Sequence, residues 1–225
     1  MNGERRLILV RHGITDWNRE GRFQGHRDPP LSAEGRDEAR ILGERLAAAD
    51  ERPVRIIASS LSRARETADL IAAALGGLRV ESEPRLMEIG QGEWEGRTHA
   101  DLEVNDPERY AAWRRQIGHQ QPPGGEPIDD AMARVGAVLA EVTKTDDWPI
   151  CLVSHGGTLR LLARRVLGLG APQDWDPLDL DNASLSRLLW TDETGWRLES
   201  WNDVHHLLGR GPTHVDESEG APLAL

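Results

Sequence analysis

Three short stretches carry residue types suited to one kind of chemistry. Arg11-His12-Gly13, Ser59-Ser60-Leu61-Ser62-Arg63 and Ser154-His155-Gly156-Gly157 each follow a compact apolar run. Between them they supply two histidines and two arginines. A further candidate, Glu88, stands in Leu86-Met87-Glu88-Ile89-Gly90. A phosphoryl group in flight carries charge on three equatorial oxygens, so its transfer is mainly a matter of positioning and neutralisation. Arg11 and Arg63 can grip those oxygens with bidentate, charge-assisted bonds, and a protonated His155 would add a donor. A neutral His12 nitrogen can attack phosphorus in line, and two guanidinium groups nearby disfavour its imidazolium form. Glu88 could protonate the leaving oxygen and then activate water. Each residue alone has a plainer reading. A histidine after a strand is more often a turn residue, Arg63 a surface residue, Glu88 a solvated carboxylate, and Ser59, Ser60 and Ser62 cap or turn residues. Their joint placement outweighs those readings.

The elements that must position these residues follow from the apolar pattern. Leu7–Val10, Val54–Ala58 and Ile150–Val153 read as buried strands, and Leu78–Val80 begins a shorter one. Residues 33–49 have amphipathic spacing behind a Ser32 N-cap, with Glu34 in the first turn. Leu61–Leu75 reads as a helix stopped by Gly76-Gly77. Helices are also expected at about 106–117, over 128–144 and over Thr158–Leu167. Residues 12–31 read as loop or turns, and Pro122–Gly125 as a firm loop. Leu185–Trp190 and Trp196–Trp201 form a hairpin through Asp192–Gly195. Strands alternating with helices predict an α/β protein with a mostly parallel sheet and helices on both faces. Ligand sites in such sheets lie outside the carboxyl ends of the strands, where the two histidines fall. Residues 1–209 read as one domain with a small cap-like insert at about 84–130, and 210–225 as a disordered tail.

Composition narrows the partners. The chain has 225 residues, 38% apolar and 29% charged, and a formal net charge of −11. So acidic a surface argues against nucleic acid or an anionic membrane as partner, and any phosphate site must supply its own local positive charge. Cys151 is the single cysteine, so no intramolecular disulfide forms. It precedes the Ser154-His155 turn inside a strand and reads as a small buried hydrophobe. No stretch approaches the ~18–20 apolar residues of a spanning helix, and a cytoplasmic protein is expected. His205-His206 lacks a second cluster with metal-ligand spacing. The final hairpin could pair with a partner chain to make a homodimer.

The segments LILVRHGITDWN, RFQGHRDPPLSAEG, SSLSRARETA, EIGQGEWEG, PPGGE and VSHGGTLR, in that order over about residues 6–208, together resemble the histidine phosphatase superfamily, also called the phosphoglycerate mutase-like family. The resemblance implies a three-layer α/β/α sandwich and a phosphohistidine mechanism that uses neither metal nor cofactor. It implies His12 as nucleophile, Arg11, Arg63 and His155 as the rest of the phosphate pocket, Glu88 as proton donor, and a small phosphorylated metabolite as substrate. Asn18, Gln24 and Gly25 match positions at the pocket mouth. Gly156 opens a helix whose N-terminus suits an anion. Trp17, Trp94 and Arg114 are further candidates for shaping the mouth. Within the resemblance the choice lies between a phosphatase and a mutase. Mutases carry a longer basic insert, whereas residues 94–126 here are short, acidic and without lysine, as in the phosphatase branch. A phosphatase is therefore expected, with a phosphoglycerate mutase and a non-catalytic phospholigand-binding protein as the alternatives.

Overall fold

Alternate side chains of the first strand point to opposite sides of a sheet, and both sides are apolar. In this computed structural model, which describes residues 4–50, 52–115, 121–170 and 178–208, strand β1 spans Arg5–Arg11. Its Ile8 and Val10 enter one buried cluster and Leu7 and Leu9 another. The first cluster is closed by helices α2 (Ala33–Ala48) and α3 (Ser62–Ala74), through Leu42, Leu46, Ala64, Ala68 and Ile71. The second is closed by α6 (Ile128–Val142) and α7 (Gly156–Val166), through Val138, Leu139, Leu159 and Leu162. A strand apolar on both faces must be covered on both, and this gives the three layers.

The sheet has six strands in the order β3-β2-β4-β1-β5-β6. Strands β2 (Arg55–Ala58), β3 (Val80–Ser82), β4 (Ile150–Ser154) and β1 run parallel, and β5 (Leu185–Thr191) and β6 (Gly195–Asp203) close it as an antiparallel hairpin. The register matters for the site. Arg11 stands opposite Ser154, and Val153 opposite Ala58. The amides of His12 and Ser59 continue those ladders, to Ser154 O at 3.0 Å and Val153 O at 2.9 Å. His12, His155 and Ser59 therefore emerge side by side from three adjacent strands.

The expected elements recur with local differences. Strand β3, Val80–Ser82, begins at Val80 rather than at Leu78, which packs on the α2/α3 side before pairing starts at Ile56 and Val80. Residues 12–31 are not all turn. Helix α1 (Asp16–Arg19) forms there on a reciprocal cap, in which the Thr15 hydroxyl accepts from the Asn18 amide and Asn18 Oδ1 accepts from the Thr15 amide, both at 3.1 Å. Helix α4 (His99–Asn105), which no sequence pattern suggests, precedes α5 (Pro107–Arg115). Thr98 caps α4 by accepting from the Asp101 amide. Ser32 caps α2 as expected, accepting from the Gly35 amide at 3.0 Å.

Helices α4 and α5 fold around an aromatic nucleus of their own. Phe23, Trp94, Leu102, Tyr110 and Trp113 are buried together, with Phe23–Trp113 ring centroids 5.4 Å apart and Trp94–Trp113 5.7 Å apart in edge-on geometry. Trp94 is thus core, not pocket mouth, with its indole N–H donated to Asp106 at 3.0 Å. Trp148, Trp190 and Trp196 form a second aromatic group at the β5–β6 edge. The residues expected to form the tail, 210–225, lie outside the described residues.

Candidate active site

His12 leaves β1 at its carboxyl end and is 2% exposed. Its carbonyl accepts from Ala183 N at 3.1 Å and Asn182 Nδ2 at 3.0 Å, so backbone and ring are both anchored. The ring Nδ1 lies 2.7 Å from Gly13 O. A carbonyl can only accept, so Nδ1 carries the proton and Nε2 keeps the lone pair. Burial, and then the Arg63 and Arg11 guanidinium groups, hold this imidazole well below the usual histidine range. His12 therefore presents a neutral, unprotonated Nε2.

His155 stands at the amino end of α7, with its ring centroid 5.1 Å from that of His12. Burial, Arg63, His12 and Arg11 lower its pKa too, so it stands in the site neutral rather than as the extra cation expected. Arg63 is fully buried. It donates from Nη1 to Arg27 O at 2.8 Å and from Nη2 to Gly25 O at 3.0 Å. Its Nε has no partner among the described residues. A buried charged donor left unmet costs on the order of 1–3 kcal/mol, and an incoming oxyanion would remove that cost. Arg11 donates from Nη1 to Leu180 O. Its guanidinium carbon lies 3.5 Å from where a Cβ on Gly156 would stand, so the arginine sits in van der Waals range of the start of α7.

Glu88 accepts on both oxygens. Oε1 takes the amides of Ile89 at 2.9 Å and Thr158 at 3.0 Å, and Oε2 takes the amide of Gly157 at 3.1 Å. The first turn of α7 thus faces its carboxylate. The Glu88 segment is pinned from behind by Arg134. Its Nε and Nη2 bind Glu126 at 2.7 and 2.9 Å, its Nη1 reaches Arg85 O at 2.6 Å, and its Nη2 reaches Glu88 O at 3.3 Å.

The mouth residues divide. Gly25 has φ +49°, and a Cβ there would lie 2.3 Å from Glu95 Oε1. Only glycine fits, and the loop presents Gly25 O to Arg63. Gln24 is buried, with Oε1 unpartnered among the described residues. Asn18 spends Oδ1 on the α1 cap, with Asn182 Nδ2 also 3.4 Å away. Trp17 packs against Gly96, and Arg114 pairs with Glu103 at 3.4 Å. Glu38, Glu95, Glu126, Arg134 and Asn182 carry no signal in the sequence, because their roles exist only through contacts made by the fold.

Fold and site define an α/β protein with an arginine- and histidine-lined cradle at the carboxyl ends of three parallel strands. The chain belongs to the histidine phosphatase superfamily, whose branch 1 it matches over residues 7–204. It is 35% identical over 215 residues to a glucosyl-3-phosphoglycerate phosphatase of Mycobacterium tuberculosis, covering 88% of this chain and 94% of that protein. It is 38% identical over 213 residues to the "Probable phosphoglycerate mutase GpmB" of Salmonella paratyphi C, covering 89% and 94%. The solved alpha-ribazole phosphatase of Shigella flexneri superposes with a TM-score of 0.78 at 33% identity, covering 88% and 96%. The chain is thus a phosphoric monoester hydrolase of the histidine phosphatase kind. No helix among the described residues is long and apolar enough to cross a membrane.

Proposed function

We propose that the protein hydrolyses small phosphate monoesters through a phosphohistidine on His12. The observation that carries this reading is the 2.7 Å bond from His12 Nδ1 to Gly13 O in a ring held neutral, which leaves Nε2 as a nucleophile. In the first step Nε2 bonds to phosphorus as the ester P–O bond breaks, and the leaving oxygen takes a proton from Glu88. Arg11, Arg63 and His155 meet the equatorial oxygens. In the second step water attacks phosphorus, its proton passes to Glu88, and the N–P bond breaks to release phosphate. The described residues of segment 84–130 serve as the cap beside the cradle.

A mutase needs to hold a second phosphate while the first is transferred. Arg97, Arg109 and Arg114 of the cap each face a carboxylate of the same cap, at 2.5 Å to Asp101, 3.9 Å to Asp106 and 3.4 Å to Glu103. They would have to leave those partners to serve, which favours hydrolysis over isomerisation. The test is phosphate release from a panel holding glucosyl-3-phosphoglycerate, phosphoglycerate and ribazole phosphate, run beside an isomerisation assay. Release should exceed isomerisation widely. His12→Ala should abolish release and the acid-labile, base-stable phosphoenzyme of the parent. Retained turnover in that variant, or isomerisation as fast as release, would overturn the proposal.

A further inference from the structure

The donor that His155 offers to a bound phosphoryl group depends on which ring nitrogen holds its single proton. The ring is fully buried, and its Nε2 lies 2.8 Å from Ser59 Oγ. Its Nδ1 has no partner among the described residues. Ser59 is also fully buried, at the end of β2, and its Oγ accepts from the Leu61 amide at 3.2 Å. A hydroxyl has one proton and two lone pairs. One lone pair serves Leu61, and among the described residues the only other polar partner of this oxygen is His155 Nε2.

Two arrangements remain. If Nε2 carried the proton, Ser59 Oγ would accept twice, its own proton would be buried without an acceptor, and Nδ1 would be a buried acceptor without a donor. If Nε2 accepts from the hydroxyl, every group in the chain Leu61 N–Ser59 Oγ–His155 Nε2 is satisfied. The one group left over is then an N–H at Nδ1. Buried polar groups without partners cost about 1–3 kcal/mol each, so the second arrangement prevails.

We propose that Ser59 is a positioning residue that fixes the tautomer of His155, so that neutral His155 gives a phosphoryl oxygen a hydrogen bond from Nδ1. The burial and neighbouring arginines that keep this ring neutral make the tautomer decisive, because a neutral imidazole has one donor and an imidazolium two. His155 is thereby a donor before any proton arrives with the substrate. The inference rests on the phosphate cradle described above.

Nitrogen-15 NMR of the ligand-free protein reads the tautomer directly, and orthovanadate titration reads the consequence. His155 in the parent should carry its proton on Nδ1. Ser59→Ala should lose that preference and bind orthovanadate about tenfold more weakly, the equivalent of one hydrogen bond. Ser59→Thr, which keeps the hydroxyl, should restore both. A parent His155 protonated on Nε2, or a folded Ser59→Ala with unchanged tautomer or unchanged vanadate affinity, would overturn the proposal. Should Ser59→Ala fail to fold, the parent tautomer and the threonine variant decide. Failure of the parent to bind vanadate would instead remove the cradle itself.

Discussion

At the scale of single residues, Glu88 poses the sharpest question. Its proposed task is to protonate a leaving oxygen, yet both of its oxygens accept backbone amides. Replacement by glutamine is also less conservative than it looks. The new amide nitrogen would face a backbone N–H, donor against donor, whichever way it turned. A plain loss of activity in Glu88→Gln would therefore mix distortion with loss of the acid. The dependence on leaving group separates them. An alkyl alkoxide is a poor leaving group and needs the proton, whereas an activated phenolate hardly does. General acid catalysis is worth about 10²–10⁴ in rate. In single-turnover phosphorylation of His12, Glu88→Gln and Glu88→Ala should each lose that order of rate with an alkyl ester and clearly less with an aryl ester. Distortion affects both esters and divides out of the ratio. Equal losses would assign Glu88 to positioning or charge. The phosphorylation step has to be followed by itself, since Glu88 also serves the later hydrolysis.

At the scale of elements, the loop that follows His12 lies directly on the first turn of α2. A Cβ on Gly13 would stand 2.3 Å from Gly35 O, and one on Gly35 would stand 2.2 Å from Ile14 O, so two glycines permit the approach. Glu38, one turn further on, accepts from the Ile14 amide at 2.8 Å, while its other oxygen is buried without a partner among the described residues. Burial pushes its carboxyl up to about 7. An acid raised in this way favours the folded state at low pH, and that contribution is lost as pH rises from 4.5 through 7. The shift from 4.5 amounts to roughly 3 kcal/mol against the folded protein above pH 7. Glu38→Gln keeps an acceptor for Ile14 and cannot ionise. Its urea stability should exceed the parent's by up to roughly 3 kcal/mol at pH 8, with little gain at pH 4.5. An equal gain at both pH values would mean that packing, not ionisation, is responsible. The same elements mark how far the sequence could be read. Leu7–Val10 and Ile150–Val153 announce themselves because a strand covered on both faces is apolar throughout, and such strands place His12 and His155 without further information. Helix α4 was invisible because Leu102 is its only buried side chain, and α1 is a four-residue turn held by its cap. Glu38 looks like any polar residue of an amphipathic helix. Arg134 and Glu126 likewise acquire meaning only when the fold brings them behind Glu88.

At the scale of the whole molecule, the chain carries a formal charge of −11, yet its interior holds histidines that resist protonation. His12 and His155 are held well below 6.5 by burial and by the cradle arginines. His99, half-buried against Phe23 and Tyr110, is lowered to about 4 by burial and Arg114, and His206, half-buried beside Arg45, also to about 4. A histidine depressed in the folded state adds stability that is fully present above its unfolded value of 6.5 and is lost as pH falls toward the folded value. Glu38 works in the opposite sense over 4.5 to 7. At pH 5 the unfolded chain holds about one proton more on each of His99 and His206 and about one fewer on Glu38, and His12 and His155 add uptake in the same direction as the other histidines. Unfolding there should take up at least about one proton, so stability should climb by at least roughly 1.4 kcal/mol per pH unit. The protein should therefore lose stability steadily as pH falls below 6.5. Urea titrations at half-unit pH steps measure the slope, and His99→Gln and His206→Gln should each reduce the uptake by about one proton. A flat profile between pH 5 and 6.5 would mean that these rings take up protons while folded. His12 would then lose the neutral state that its proposed attack on phosphorus requires.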